Sequence, residues 1–176
     1  FNYSINQDLR DKKFRTEDGY VTTFSQELPL ISDNSKISNA FEVIKYQKLS
    51  TTSSMIGKVS FFGKTITGLS DDVRISKRLN LPSSRLRGFQ RGKVGPIENN
   101  DYIGGNHLSS LNLSATLPNI VQGLDNLDVG IFFDAANVWG VDYDSSLDDK
   151  STIRSSTGVA LNLLTPIGPL SFSFAN

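Results

Sequence analysis

The chain has 176 residues, with 18 basic residues against 18 acidic ones, no cysteine and a single histidine. That length suits one domain, and the balanced charge offers no cationic footprint for nucleic acid. Missing cysteine removes disulfides, thiolate nucleophiles, zinc ribbons and iron–sulfur clusters, and one histidine, His107, rules out a multi-histidine metal centre. Eleven Phe and 14 Gly against one Trp and one Met favour strands and turns over helices.

Taken in chain order, the segments alternate with a period of two, the mark of strands with two unlike faces. Phe1, Tyr3 and Ile5 oppose Asn2, Ser4 and Asn6. Next, Tyr20, Phe24 and Leu28 oppose Val21, Thr23, Ser25 and Glu27. A mixed third segment runs over 37–48. The fourth sets Met55, Gly57, Val59 and Phe61 against Ile56, Lys58, Ser60 and Phe62. After a long gap, Leu111, Leu113, Ala115 and Leu117 oppose Ser110, Asn112, Ser114 and Thr116. Leu127, Val129, Ile131, Phe133 and Ala135 oppose Asp128, Gly130, Phe132, Asp134 and Ala136. The seventh sets Val159, Leu161 and Leu163 against Ser156, Gly158 and Asn162, and the eighth sets Leu170, Phe172 and Phe174 against Ser171, Ser173 and Ala175.

Both ends fall inside a strand pattern, so the chain is expected to be an excised piece of a larger protein. It shows no signal-peptide pattern, and localisation is not read from a leader. Residues 155–176 carry no charge, yet Pro166, Gly168 and Pro169 interrupt them, which argues for two strands around a turn rather than a membrane helix. Alternation alone leaves open a transmembrane barrel and a soluble antiparallel sandwich. The polar face tilts toward the barrel. Its later strands hold Ser, Asn, Gly, Asp and Thr, as a wet lumen would, where a sandwich exterior is richer in Lys and Glu. Closure also removes the exposed edges that long apolar-faced strands would leave.

The gap at 68–104 is too long for an idle connection. It carries Arg74, Lys77, Arg78, Arg85, Arg87, Arg91 and Lys93, together with Leu86, Phe89, Val94, Pro96 and Ile97, which a solvated loop has no use for. Such a loop can fold back into a polar lumen, where a guanidinium needs a carboxylate. Asp134 supplies a candidate, on the polar phase of its strand and flanked by phenylalanines, where Asp is uncommon. A two-pronged Arg87–Asp134 pair suits guanidinium geometry. The plain alternative for Asp134 is an ordinary lumen-facing polar residue.

At these residues the chain resembles a known family. Leu86-Arg87-Gly88-Phe89 is similar to the V-R-G-F/Y motif in the long loop of the Omp85 superfamily of outer-membrane barrels. In the same order, Val94-Gly95-Pro96 resembles I/V-G-P and Ile103-Gly104-Gly105-Asn106 resembles a G-G-N strand start. Phe132-Phe133-Asp134-Ala135-Ala136-Asn137-Val138-Trp139 is similar to F-F-D-x-G-x-V-W, and Thr165-Pro166-Ile167-Gly168-Pro169-Leu170 to S-P-x-G-P-L. Asp8, Asp11 and Gly19 resemble an upstream D-x-x-D … G stretch. Within the superfamily the wording is most similar to BamA-type assembly factors, with TamA-like and two-partner-secretion transporters as alternatives.

The resemblance implies an all-β fold, an antiparallel transmembrane β-barrel of sixteen strands preceded by POTRA domains. Residues 1–176 would hold about strands eight to fifteen, with the inward loop at 68–104 and with the POTRA domains and the final strand outside the chain. It implies a non-catalytic, cofactor-free protein of the Gram-negative outer membrane, in contact with the lipid bilayer. Its partners would be outer-membrane protein clients and, through the POTRA domains, accessory lipoproteins; no nucleic acid is implied. Arg87 would anchor the loop through Asp134 with Phe132 beside it. Gly88 would allow the tight turn and Phe89 would pack the tip on the wall. Gly104, Gly105 and Asn106 would return the chain to the sheet, and Pro166, Gly168 and Pro169 would form the terminal turn. Leu86 stands where Val is usual, Ala136 where Gly is common, and Ser114 where a lumen-facing Glu is frequent.

Other chemistry is set aside. The run Asp142-Tyr143-Asp144-Ser145-Ser146-Leu147-Asp148-Asp149 lacks the EF-hand Gly and Glu and reads as a solvated hairpin loop. No Ser–His–Asp arrangement forms around His107, and no nucleophile elbow, P-loop or dinucleotide fingerprint occurs. The Asn-x-Ser sequons at Asn2 and Asn112 fall in strands and carry no weight. A passive pore and a soluble sandwich module are the remaining alternatives.

Overall fold

A computed structural model describes residues 1–29, 36–50, 52, 54–118, 120, 126–144, 147 and 152–176. Its strands are β1 (Asn2–Asp8), β2 (Gly19–Glu27), β3 (Lys36–Lys48), β4 (Ile56–Gly68), β5 (Ile97–Glu98), β6 (Asp101–Tyr102), β7 (His107–Pro118), β8 (Leu127–Trp139), β9 (Arg154–Thr165) and β10 (Gly168–Ala175). Eight of them form one antiparallel sheet in the order β1-β2-β3-β4-β7-β8-β9-β10. The second layer that a sandwich needs does not occur among the described residues. In its place, β5 and β6 make a two-residue ladder inside the long β4–β7 connection. No described helix is long and apolar enough to cross a membrane, which says nothing of strands.

The seven alternating segments and the mixed one at 37–48 all become strands, with shifted ends. β4 starts at Ile56 rather than Met55 and continues to Gly68, and β8 runs on to Trp139. Register keeps each face uniform, because paired residues in an antiparallel ladder project the same way. Ile131, paired with Ala115 and Val159, lies on the outer face with Phe61, Leu111, Leu113 and Phe172. Asp134, paired with Asn112 and Ser156, lies on the inner face with Ser60, Ser114 and Asn162. Ile131 is 64% exposed, while its neighbour Phe132 is 4% exposed. That contrast inverts a water-soluble sheet: the apolar side faces outward and the polar side is covered.

The cover is the β4–β7 connection. Leu79 pairs with Gly105 in an isolated bridge, and one 3-10 turn, Ile75–Lys77, sits near its start. Its Val73, Leu79, Leu81, Leu86 and Val94 pack on Ile66, Leu108, Ala136 and Val138 of β4, β7 and β8, with Phe62 and Phe89 at the margin. The core of the molecule is therefore between loop and inner wall. Each such side chain, fully buried, contributes about 1.5–3 kcal/mol. The inner face, expected to be wet throughout, is covered by apolar loop side chains around Ile66, Leu108, Ala136 and Val138.

Candidate functional site: the loop clasp

Asp134 projects inward from the middle of β8 and is fully buried. Three donors of Arg87 converge on it: the backbone N–H at 3.1 Å, Nε at 2.7 Å and Nη2 at 2.7 Å. A fourth hydrogen bond comes from Asn112 Nδ2 at 2.8 Å, directly across the β7–β8 ladder. The carboxylate is thus satisfied on both oxygens, as a buried charge must be. Phe132, two residues earlier on the same face, places its ring centroid 3.5 Å from the Arg87 guanidinium carbon. Flat stacking plus a two-pronged acceptor is a geometry that lysine cannot reproduce.

The neighbouring loop arginine repeats the arrangement. Arg85 Nη1 donates to Glu42 Oε1 at 2.7 Å and its guanidinium lies 4.2 Å from the ring of Phe62. Glu42 and Phe62 face each other across the β3–β4 ladder. Asn112 links the two clasps, since the same amide nitrogen that reaches Asp134 also donates to the Arg85 carbonyl at 2.8 Å. Leu86, between the arginines, is fully buried. Gly88 turns with φ +87, and a Cβ there would lie 2.7 Å from that of Ala175 on β10. Phe89 packs against the core cluster.

The loop's return is equally tight. A Cβ on Gly105 would meet the Trp139 carbonyl at 2.4 Å. Gly104 takes φ +72 beside Leu79, and the Asn106 N–H donates to the Gly140 carbonyl at 2.8 Å. Above them stands a third ionic contact. Arg78 Nη2 donates to Asp142 Oδ1 at 2.9 Å, and the Val73 N–H donates to Asp142 Oδ2 at 2.9 Å. Tyr143 stacks on Arg78 with 4.7 Å from its ring centroid. Burial pushes the Asp142 carboxyl up, but the Val73 amide, the Asn106 side chain and Arg78 outweigh it and hold it below the usual carboxylate range. Within the acidic run 142–149, Asp142 is taken by this contact rather than left to solvent, and residues 145, 146, 148 and 149 lie outside those described.

The remaining sequence-derived positions are apart from the clasp. At the far turn Thr165 Oγ1 donates to the Gly168 carbonyl at 2.6 Å, with Pro166 and Ile167 between the strands and Pro169 paired to Leu164. His107 lies beside Trp139, ring centroids 5.6 Å apart, at the rim of the wall. Sequence reasoning placed Arg87, Asp134 and Phe132 together and missed Asn112, Glu42, Phe62 and Asp142. Only inward phase marked Asn112 and Glu42, and many polar residues share that phase. A cavity of about 790 Å³ opens beneath the loop, lined among others by Glu42, Lys58, Ser83, Ser114 and Asn162.

Comparison with known proteins bears on the whole sheet. Residues 1–176 match the family model described as the Omp85 superfamily domain. The fold is similar to the crystal structure of BamA from Haemophilus ducreyi lacking POTRA domains 1–3, with TM-score 0.86 and 25% identity over 99% of this chain. The chain spans 38% of that relative's length.

Proposed function

The chain belongs to the Omp85 superfamily, and from that membership we propose that it forms the loop-bearing wall of a BamA-type barrel, about strands eight to fifteen of sixteen. In this reading the barrel sits in the outer membrane of a Gram-negative bacterium and inserts other outer-membrane proteins. POTRA domains elsewhere in the full-length protein recruit accessory lipoproteins. The activity is physical rather than catalytic: it lowers a membrane-insertion barrier without cofactor or bond chemistry. The apolar outer face, with Phe61, Ile131 and Phe172, meets lipid.

The observation that carries the reading is the Arg87–Asp134 clasp, which ties a loop to the inside of a sheet whose outside is apolar. Arg87→Glu in the full-length protein is expected to impair assembly of other outer-membrane proteins, and Asp134→Arg added to it to restore part of the loss. Equal assembly by Arg87→Glu and the parent would defeat the anchoring role. Solute flux through reconstituted liposomes, with no assembly activity in the full-length protein, would favour a passive pore.

A further inference from the structure

The loop tip touches more of the wall than one anchor needs. Over residues 85–88, Arg85 reaches Glu42 on β3, the Arg85 carbonyl receives Asn112 from β7, Arg87 holds Asp134 on β8, and Gly88 abuts Ala175 on β10. Along the sheet these contacts run from β3 through β4, β7, β8 and β9 to β10. With neighbouring strands ~4.8 Å apart, that path is ~24 Å, whereas four extended residues span at most ~14 Å. The Arg85 side chain supplies part of the difference, and a wall curved toward the tip supplies the rest. We infer that residues 85–88 are a transverse brace that sets the curvature of the wall, and that Glu42 and Ala175 are its two end seats.

The seat on β10 is shaped for close approach. Ala175 pairs with Gly158, and a Cβ on Gly158 would lie 2.7 Å from Phe132 Cζ. Two small residues thus leave room for the Phe132 ring and the Gly88 backbone to come down on β9 and β10. Because Arg87 stacks on that same ring, the tip cannot lift from β10 without disturbing the central clasp. At the other end, Glu42 holds Arg85 by charge and Phe62 holds it by its face. Contacts at both ends oppose flattening of the sheet.

The test uses the full-length protein in lipid vesicles, in a background stripped of other cysteines. Spin labels at Val43→Cys on β3 and Phe172→Cys on β10 report curvature, and labels at Phe61→Cys and Phe133→Cys report the middle of the wall. Because these labels project from the convex face, a flatter wall brings the outer pair together: Glu42→Gln and Gly88→Ala are each expected to shorten and broaden the outer distance and leave the inner one unchanged. Ala175→Gly removes the atom that an alanine at position 88 would strike, so it is expected to return most of the distance change of Gly88→Ala. Left-handed strain at position 88 remains in the double variant, leaving assembly ~tenfold below the parent. Failure of Ala175→Gly to suppress Gly88→Ala, or an outer distance unmoved by both single variants, overturns the brace. Only the assembly readout rests on the proposed function: shifted distances with unimpaired assembly uphold the brace and count against that function.

Discussion

Four hydrogen bonds converge on the one carboxylate of Asp134 and leave neither oxygen unpaired. Removing the acid strands a cation under the loop, which costs more than the pair itself contributes. Asp134→Ala is therefore expected to lower stability by about 3 kcal/mol. Arg87→Lys keeps the charge but loses the fork and the Phe132 stack, and is expected to cost about 1–2 kcal/mol. Thermal unfolding of the detergent-folded protein ranks the two variants. Asp142 gives a second prediction, because it lies beyond the end of β8. Its carboxyl is held below the ordinary value, so its contribution is complete above about pH 4 and fades as acid takes the pH through the lowered value. Hydrogen exchange at Val73, whose amide it accepts, is expected to rise in that acid window, and Asp142→Asn to abolish the change. The site was partly legible: an aspartate among phenylalanines and an arginine before glycine are local signals. Glu42 and Asn112 were not, since nothing in their own segments tells which of many inward polar residues a distant loop will reach.

The strands themselves were legible because lipid and lumen impose opposite demands on alternate positions. Ile131 and Phe133 on β8 face outward, between the inward Gly130, Phe132 and Asp134. A lysine at position 131 would sit near the middle of an apolar band, so Ile131→Lys is expected to cost about 2–4 kcal/mol in a bilayer. Thr116→Lys, on the inner face beside the cavity, is expected to be nearly neutral. Reversible unfolding from vesicles measures both, and equal costs would contradict the assignment of faces. Strand ends were less legible than strand middles. β4 and β8 extend past their alternating cores because the loop packs on Ile66 and Val138, and that burial is long-range. The β5–β6 ladder gave no signal at all, since two residues are too few for a period. The β1–β2 turn was legible only as the motif Asp8, Asp11 and Gly19, and its reach across the sheet was not. There Arg15 Nη2 donates to Asp128 at 3.0 Å, a contact 113 residues away that only the sheet's curvature brings together.

As a whole the molecule is an amphiphile turned outward. Phe41, Val59, Phe61, Ile131, Phe172 and Phe174 are all more than a third exposed on one continuous face, a far larger apolar patch than a water-soluble monomer tolerates. β1 and β10 stand at the two ends of the sheet order, so each offers backbone donors and acceptors on one side. These two properties act together in water, one favouring face-to-face burial and the other edge-to-edge pairing. The loop, by contrast, finds its partners on β3, β4, β7, β8 and β10, all within these 176 residues. The described loop contacts therefore all fall on this wall. The 176-residue polypeptide is expected to associate in buffer and to fold in detergent with the loop at 69–106 resistant to protease. Asp134→Ala is expected to remove that resistance while the far-ultraviolet signal of the sheet persists, because the ladders on either side of β8 do not depend on the clasp. A monodisperse monomer without detergent would contradict the outward-facing apolar wall, and a loop cleaved as fast in the parent as in Asp134→Ala would contradict its docking.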